Sequence, residues 1–224
     1  AVLGVSFAIF ERDTKRTLAL STISQIGFVL VTPAVAGLYA LTHGLAKATL
    51  FLSAGSMPSR KFEELRHQPM PVELWGAVAI AGLSISGFPL LGGFGAKALA
   101  LDRLVPWQSN VMTVAAVGTA IVFAKFLFLP VAVGGAESKP LARGYSWAVV
   151  TLGAGLLAAN GMTFDAYTLT KIGKALITIG TGWLAAWLVF RQQFLRLSRH
   201  LETLEHLIGG MSLVLTLVFW AVLT

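Results

Sequence analysis

The stretch VAGLYALTHGLAKATLFLSAGSM, residues 35–57, decides how the rest of the sequence is interpreted. It is a long apolar run that carries one basic residue, Lys47, about ten residues from either end. A helix that rises ~1.5 Å per residue crosses a bilayer over this length. The stretch therefore predicts a transmembrane helix with a lysine near the membrane midplane.

The composition of the whole chain agrees with a membrane location. Hydrophobic residues make up 56% of the 224 residues and charged residues only 12%, whereas a soluble domain carries roughly 25% charged residues. The apolar residues fall in long runs, which is the pattern of membrane spans. The absence of cysteine excludes disulfides, thiol catalysis and cysteine-ligated metals.

Apolar segments along the chain predict an all-α, polytopic bundle of about eight transmembrane helices. They lie at residues 1–10, 17–33, 35–57, 72–105, 109–134, 145–160, 167–190 and 207–223. Charged or turn-rich connections separate them, among them residues 58–71. The first segment is too short to cross a bilayer, so we expect the sequence to begin partway through a helix or partway through a larger ancestral subunit.

Basic residues are distributed unevenly between the two sides of this predicted bundle. One side collects Arg12, Lys15, Arg16, Arg60, Lys61, Arg66, Lys139, Arg143, Arg191, Arg196 and Arg199. The other side has Arg103, Lys171 and Lys174. The positive-inside rule places the richer side in the cytoplasm, or in the stroma or matrix of an organelle. The same asymmetry explains the net charge of +7 without a nucleic-acid partner.

Residues 191–206 differ from the apolar segments. Hydrophobic side chains recur there every three or four residues with charges between them, at Phe194, Leu197, Leu201 and Leu204. This spacing predicts an amphipathic helix that lies on the membrane interface. Docking of a partner subunit is the alternative interpretation of the same pattern.

Three lysines, Lys47, Lys97 and Lys125, fall inside predicted spans rather than in loops. A charged lysine at the bilayer centre costs at least ~2.5–3.5 kcal/mol, so such residues usually face a protein interior or a wet cavity. His43 and Tyr39 precede Lys47 by one and two helical turns, which stacks all three on one face. Desolvated lysines and histidines exchange protons near neutral pH. The pattern favours a proton relay, with a structural lysine bonded to backbone and water as the alternative.

Two further features accompany these lysines. Ser21, Ser24 and Gln25 form a polar stripe on helix 17–33, which either hydrates a proton path or bonds neighbouring helices. We expect the polar face of helices 17–57 to be buried against a partner subunit.

A predicted helix break lies in SISGFPLLGGFGAK, residues 84–97, where Pro89, Gly92 and Gly93 interrupt a span just before Lys97. Broken helices inside membranes often mark transport sites. The alternative is a simple kink, with Lys97 reaching outward toward Asp102 and Arg103.

Lys125 lies closer to a helix end than Lys47 does, so both a conducting role and partial snorkelling to the surface remain open. The sequence has no clustered histidines and carboxylates for a metal. It also has no nucleophile elbow, P-loop or dinucleotide fingerprint. It therefore predicts no metal site, no cofactor and no catalytic residue in this chain.

Three motifs arrive in an order that resembles a known family. They are DTKRTLALSTISQIG (13–27), THGLAKATLFLSAG (42–55) and GFPLLGGFGAK (87–97). Together they look like the antiporter-like subunits of complex I and of Mrp-type sodium/proton antiporters. The resemblance implies that Lys47, His43 and Lys97 match the family's proton-conducting residues. Tyr39 stands where several relatives carry a second histidine.

The resemblance also implies an organisation. In that family two inverted five-helix repeats each contain a broken helix and provide half of a proton channel, and this chain resembles the second repeat. Residues 1–134 would then form the half-channel helices and residues 135–224 the C-terminal helices. The location would be a bacterial inner, thylakoid or organellar inner membrane, and any redox cofactors would belong to other subunits.

The function predicted from the sequence is proton translocation by one subunit of a multisubunit membrane complex. Protons would move through water between His43, Lys47, Lys97 and Lys125, and the partners would be lipid and other membrane subunits. One alternative within transport is a sodium/proton exchanger subunit. Another, of a different class, is a structural scaffold without ion flux of its own.

Overall fold

The computed structural model describes residues 1–132 and 141–191, together with Gly209, Ser212, Leu213, Thr216 and Trp220. The predicted amphipathic helix at 191–206, apart from the backbone of Arg191, and most of the predicted helix at 207–223 lie outside the described residues. So does most of the basic loop around Lys139. The chain divides into two units, Ala1–Leu188 and Val189–Thr224, and the site described below lies in the first.

The described residues are helical, which confirms the all-α prediction. The helices are α1 (Val2–Phe10), α2 (Thr14–Val31), α3 (Ala36–Ser56), α4 (Phe62–Leu65), α5 (Val72–Ser86), α6 (Gly92–Asp102), α7 (Pro106–Leu127), α8 (Arg143–Gly161) and α9 (Leu169–Arg191). Short 3₁₀ turns occupy Pro33–Val35 and Phe164–Ala166. The predicted span 72–105 is divided into α5 and α6.

Within the described part of the chain, three helices are individually long and apolar enough to cross a membrane: Pro33–Ser56, Pro106–Leu127 and Leu169–Phe190. Val72–Ser86 is a shorter apolar helix. Large apolar side chains such as Leu30, Trp107 and Leu169 lie exposed on the surface of the chain. These features support an integral membrane protein.

Local signals explain where several helices begin. Asp13 caps α2, because its carboxylate accepts a hydrogen bond of 3.0 Å from the Arg16 amide. The helix therefore starts at Thr14 rather than at the predicted residue 17. Pro33 separates α2 from α3, and Pro106 occupies the first turn of α7, where its missing N–H is not needed.

The predicted connection at 58–71 contains a one-turn helix, α4, that the sequence analysis missed. Its Phe62 and Leu65 are buried, and the Phe62 ring meets the Phe126 ring edge-on at 4.8 Å. A single turn presents too few apolar residues for their period to be recognised. This turn nevertheless anchors the connection to the end of α7.

Helix α3 lies at the centre of the packing that positions the site. It contacts α2, α5, α6 and α8. The largest apolar cluster gathers side chains from α2, α3, α5, α7 and α8, among them Leu18, Leu50, Leu74, Phe123 and Leu156. The buried lysines therefore lie among helices of their own chain.

Candidate functional site

The ammonium of Lys47 is held inside the bundle by helix α2. It donates to the Leu18 carbonyl oxygen at 2.7 Å and to the hydroxyl of Ser21. The Ser21 hydroxyl in turn donates to the same carbonyl at 2.9 Å. Lys47 is only 5% exposed, and its ammonium lies 5.5 Å from the centre of the Phe123 ring. It is thus a buried cation with neutral partners.

His43 shares the face of α3 with Lys47, as the spacing predicted, but its ring makes no hydrogen bond. Both ring nitrogens are enclosed and have no partner in the described structure. His43 lies one helical turn before Lys47 on α3, and α3 packs against α6, which carries Lys97. Buried polar atoms are usually satisfied, and exceptions need an explanation.

A small cavity borders the His43 ring. It is lined by Gln25, Tyr39, Thr42, His43, Ser84, Ile85 and Gly93. The space that the centre of a water molecule could occupy is about 10 Å³, which is close to the minimum for holding one water. Most of the lining residues carry a polar side chain. The cavity therefore has room for about one water molecule beside the histidine.

The break between α5 and α6 is closed by a left-handed glycine. Gly87 has φ +86°, and α5 ends in a Schellman motif with bonds from the Gly87 amide to Ser84 and from the Phe88 amide to Leu83, each 3.0 Å. This motif leaves the carbonyls of Ile85 and Ser86 free. The Lys97 ammonium donates to both, at 2.8 and 3.4 Å.

The start of α6 is satisfied from the opposite direction. The Ser84 hydroxyl of α5 accepts a hydrogen bond of 3.0 Å from the Gly93 amide. Each half of the broken helix therefore caps the other: α6 supplies Lys97 to the last carbonyls of α5, and α5 supplies Ser84 to the first amides of α6. Polar backbone inside a membrane must be satisfied within the protein, and this arrangement does so.

The position of the break corrects one detail of the prediction. The non-helical residues are 87–91, so Pro89 lies in the break while Gly92 and Gly93 form the first turn of α6. A Cβ at Gly93 would lie 1.9 Å from the Ser84 carbonyl oxygen, and one at Gly92 would lie 2.6 Å from the Leu156 carbonyl oxygen. These two glycines allow α6 to pack closely against α5 and α8, and they are not part of the break.

Lys97 does not reach outward, which contradicts the simple-kink alternative. It is 5% exposed and its ammonium lies 5.3 Å from the centre of the Phe28 ring. Asp102, its suggested partner, pairs with Lys171 at 2.6 Å. Lys97 is therefore an interior cation, like Lys47.

Lys125 has a different environment from the other two lysines. Its ammonium donates to the carbonyls of Ala8, Ile9 and Glu11, at 2.8, 3.1 and 2.8 Å. These atoms form the C-terminal end of α1, where a cation is favourable. The Phe62 ring lies 4.8 Å away on another side. All three N–H groups of Lys125 are thus matched by acceptors that fix a helix end.

The polar stripe of α2 is divided among separate contacts. Ser21 bonds Lys47, whereas the buried hydroxyl of Ser24 has no partner in the described structure. Gln25 bonds the Tyr39 hydroxyl at 2.6 Å and the Thr119 hydroxyl at 3.0 Å. Thr119 was not predicted from the sequence, because nothing local indicates that it meets a residue so distant along the chain.

These contacts also overturn the expectation that the polar face of helices 17–57 is buried against a partner. Ser21, Gln25, Tyr39 and Lys47 are at most 5% exposed in the isolated chain. Helices α5, α6 and α7 of the same chain cover them. The prediction was wrong because a polar stripe identifies a buried face but not the element that covers it.

Charged residues outside the spans form a separate cluster at the α1–α2 turn. Asp13 pairs with Arg60 at 3.0 Å and Glu11 with Arg16 at 3.3 Å. Partial burial alone would raise the pKa of Asp13, but hydrogen bonds from the Arg16 amide and from Arg60 outweigh it and lower the pKa. No acidic side chain of the described residues pairs with Lys47, Lys97 or Lys125. The described residues also contain no group of three or more metal-ligating side chains.

Comparison with known proteins supports the resemblance found in the three motifs. A family model described as NADH:quinone oxidoreductase/Mrp antiporter, transmembrane, matches residues 1–123. NADH-ubiquinone oxidoreductase chain 5 of Mytilus edulis is 35% identical over 113 residues, which are 45% of this chain and 20% of that protein. NADH-quinone oxidoreductase subunit L of Neisseria meningitidis serogroup B is 36% identical over 115 residues, which are 43% and 17%. The chain thus matches about a fifth of the length of these relatives.

Proposed function

Since the chain belongs to the NADH:quinone oxidoreductase/Mrp antiporter transmembrane family, we propose that it carries protons through part of a membrane as one subunit of a multisubunit complex. The observation that carries the proposal is the pair of orphaned His43 nitrogens beside a cavity, one helical turn from the buried Lys47. A solely structural histidine would bond a neighbour. A histidine that exchanges protons needs a free nitrogen and access to water.

The relay that we propose consists of Lys47, His43 and Lys97. A charged lysine releases a proton through water to a His43 nitrogen and becomes a neutral amine, and the imidazolium passes the proton to the other lysine when that lysine is neutral. Neutral partners suit this exchange, since a carboxylate would hold the lysine in its charged form. An ammonium that is bonded to backbone and hydroxyl oxygens loses its proton at a lower free-energy cost than one that is paired with a carboxylate.

Lys125 has a structural role in this proposal rather than a conducting one. Its three N–H groups are bonded to carbonyls at the end of α1, and Lys125 is not among the residues that line the His43 cavity. Losing the proton would leave one of those carbonyls without its donor. We propose that Lys125 stays charged and holds the end of α1 against α7.

The scaffold alternative is favoured by one observation, namely that Lys47 makes the backbone bond expected of a structural lysine. The test is proton flux in membrane vesicles that contain the intact complex with Lys47→Arg. Arginine keeps the charge but does not release its proton near neutral pH, so the relay predicts loss of flux. Normal flux, at equal subunit content on immunoblots, would favour the scaffold.

The host and the orientation are further parts of the proposal. Other membrane subunits of an NADH-quinone oxidoreductase or an Mrp-type antiporter would supply the remaining half of the path, and sodium is a second candidate ion for the latter. The basic loops 58–71 and 135–143 would face the cytoplasm, stroma or matrix. A cysteine at Ser59, which is half-buried in the loop 58–71, should react with an impermeant reagent from that side only.

A further inference from the structure

Gln25 joins three helices through one directed chain of hydrogen bonds. The Tyr39 hydroxyl of α3 donates to the Gln25 carbonyl oxygen at 2.6 Å, and the Gln25 amide donates to the Thr119 hydroxyl of α7 at 3.0 Å. The Thr119 hydroxyl then donates to the carbonyl of Ala115 at 2.9 Å. Because the last acceptor is a backbone carbonyl, which only accepts, the direction of every bond in the chain is fixed.

Tyr39 is further restrained by its ring. It stacks on Phe28 of α2 with ring centres 5.6 Å apart and an angle of 6° between the planes. Phe28 is fully buried and Tyr39 is 4% exposed. The ring and the hydroxyl are therefore both held toward α2, by two residues one turn apart on that helix.

The same tyrosine borders the cavity of His43. Both residues line it, and they lie one helical turn apart on the same face of α3. A phenol is a good hydrogen-bond donor to a neutral imidazole. Yet the Tyr39 proton is given to Gln25, and both His43 nitrogens have no partner in the described structure.

We propose that Gln25 is a positioning residue that keeps the Tyr39 hydroxyl turned away from His43, so that the histidine nitrogens remain free to exchange protons. The inference rests on the proposed relay. It gives Gln25 and Tyr39 a positioning role, whereas the sequence suggested that they conduct protons. Neither group needs to carry a proton. Gln25 acts through Tyr39, and Tyr39 affects His43 only when it is released.

The test is a double-mutant cycle in the intact complex, with proton flux in vesicles normalised to subunit content. Gln25→Leu removes the acceptor, frees the Tyr39 hydroxyl to bond His43, and should lower flux several-fold. Tyr39→Phe should keep flux near wild type. The combined Gln25→Leu/Tyr39→Phe variant should recover flux, because no hydroxyl is left to capture the histidine. Loss of flux in Tyr39→Phe alone would overturn the proposal, as would failure of the double variant to recover.

A second readout separates this proposal from the relay itself. The C2 proton of an imidazole exchanges with deuterium from water at a rate that depends on the protonation and hydrogen bonding of the ring, and the rate at His43 can be followed by mass spectrometry of its peptide. This exchange rate should change in Gln25→Leu and return to the wild-type rate in the double variant. The result does not depend on flux, whereas the relay fails if Lys47 variants conduct normally. An unchanged exchange rate in Gln25→Leu would overturn the positioning role even if the relay stands.

Discussion

The ammonium of Lys97, in α6, lies 2.8 Å from the carbonyl oxygen of Ile85, in α5, on the far side of the helix break. The Schellman motif at Gly87 satisfies the carbonyls of Leu83 and Ser84 and leaves the next two for the lysine. Lys97 is therefore both a proposed proton carrier and the C-terminal cap of a helix that ends inside the protein. The two roles are compatible, because an amine that has released one proton still has two to donate.

Loss of the Lys97 side-chain donor should destabilise the break as well as stop conduction. Lys97→Met keeps the length of the side chain but leaves the Ile85 and Ser86 carbonyls without their donor, at a cost of about 1–3 kcal/mol each. We expect the solubilised subunit to aggregate at a lower temperature than wild type, and vesicles to lose proton flux. Lys174→Met, at an exposed lysine on α9, is the control and should change neither. Wild-type heat resistance in Lys97→Met would remove the capping role.

Gly93 should not tolerate even a methyl group. In Gly93→Ala the new Cβ would lie 1.9 Å from the Ser84 carbonyl oxygen, so the α5 and α6 backbones must separate and the Ser84 cap on α6 must break. We expect little assembled subunit on immunoblots of purified complex. Gly76→Ala is the matched control, because a Cβ there meets nothing within 4 Å and alanine favours the helix by about 1 kcal/mol. Equal amounts of the two variants in the complex would show that α5 and α6 are not packed as described.

Substitutions at Lys125 test whether this lysine is structural or conducting. Lys125→Met removes three donors from the end of α1 and should lower the heat resistance of the subunit, while flux per assembled complex stays above half of wild type. Lys125→Arg, which keeps charge and donors, should restore most of the stability. If Lys125→Met instead abolishes flux at full stability, Lys125 belongs to the relay.

The Asp13–Arg60 pair predicts a pH dependence at the α1–α2 turn. The folded pKa of Asp13 lies below the ordinary value of 3.8, so its carboxylate contributes stability that is present above that value and is lost as pH falls through the folded pKa. Asp13→Asn keeps a good helix cap but has no charge. Wild type should resist heat slightly better than Asp13→Asn at pH 7, by up to about 1 kcal/mol, and the difference should shrink as pH falls below 3.8 toward the folded pKa. A difference that stays constant as the carboxyl group is protonated would exclude ionisation as its cause.

Much of this architecture was predictable because it follows from local patterns. Long apolar runs predict spans, and Pro89 among glycines predicts a break. The spacing of Tyr39, His43 and Lys47 predicts one shared face. Each of these signals lies within a few turns of one helix.

The remaining features depend on contacts between distant segments. Which helices become neighbours determines three of these features: the bond between Thr119 and Gln25, the capping of α1 by Lys125, and the close packing at Gly92 and Gly93. One sequence carries no signal for such pairings. For the same reason the sequence predicted that the polar face of α2 and α3 is buried, but it predicted a partner subunit over this face where helices of the same chain pack.

The central claim is that Lys47 exchanges protons, and Lys47→Ala tests it most directly. The substitution should leave assembly intact. It removes a buried charge, and the Leu18 carbonyl keeps its bonds from the hydroxyls of Ser21 and Thr22, at 2.9 and 3.0 Å. The measurement is proton flux in vesicles that contain the intact complex, at subunit content equal to wild type. Flux should fall to the background of vesicles without the complex, and normal flux in Lys47→Ala would show that Lys47 does not carry protons.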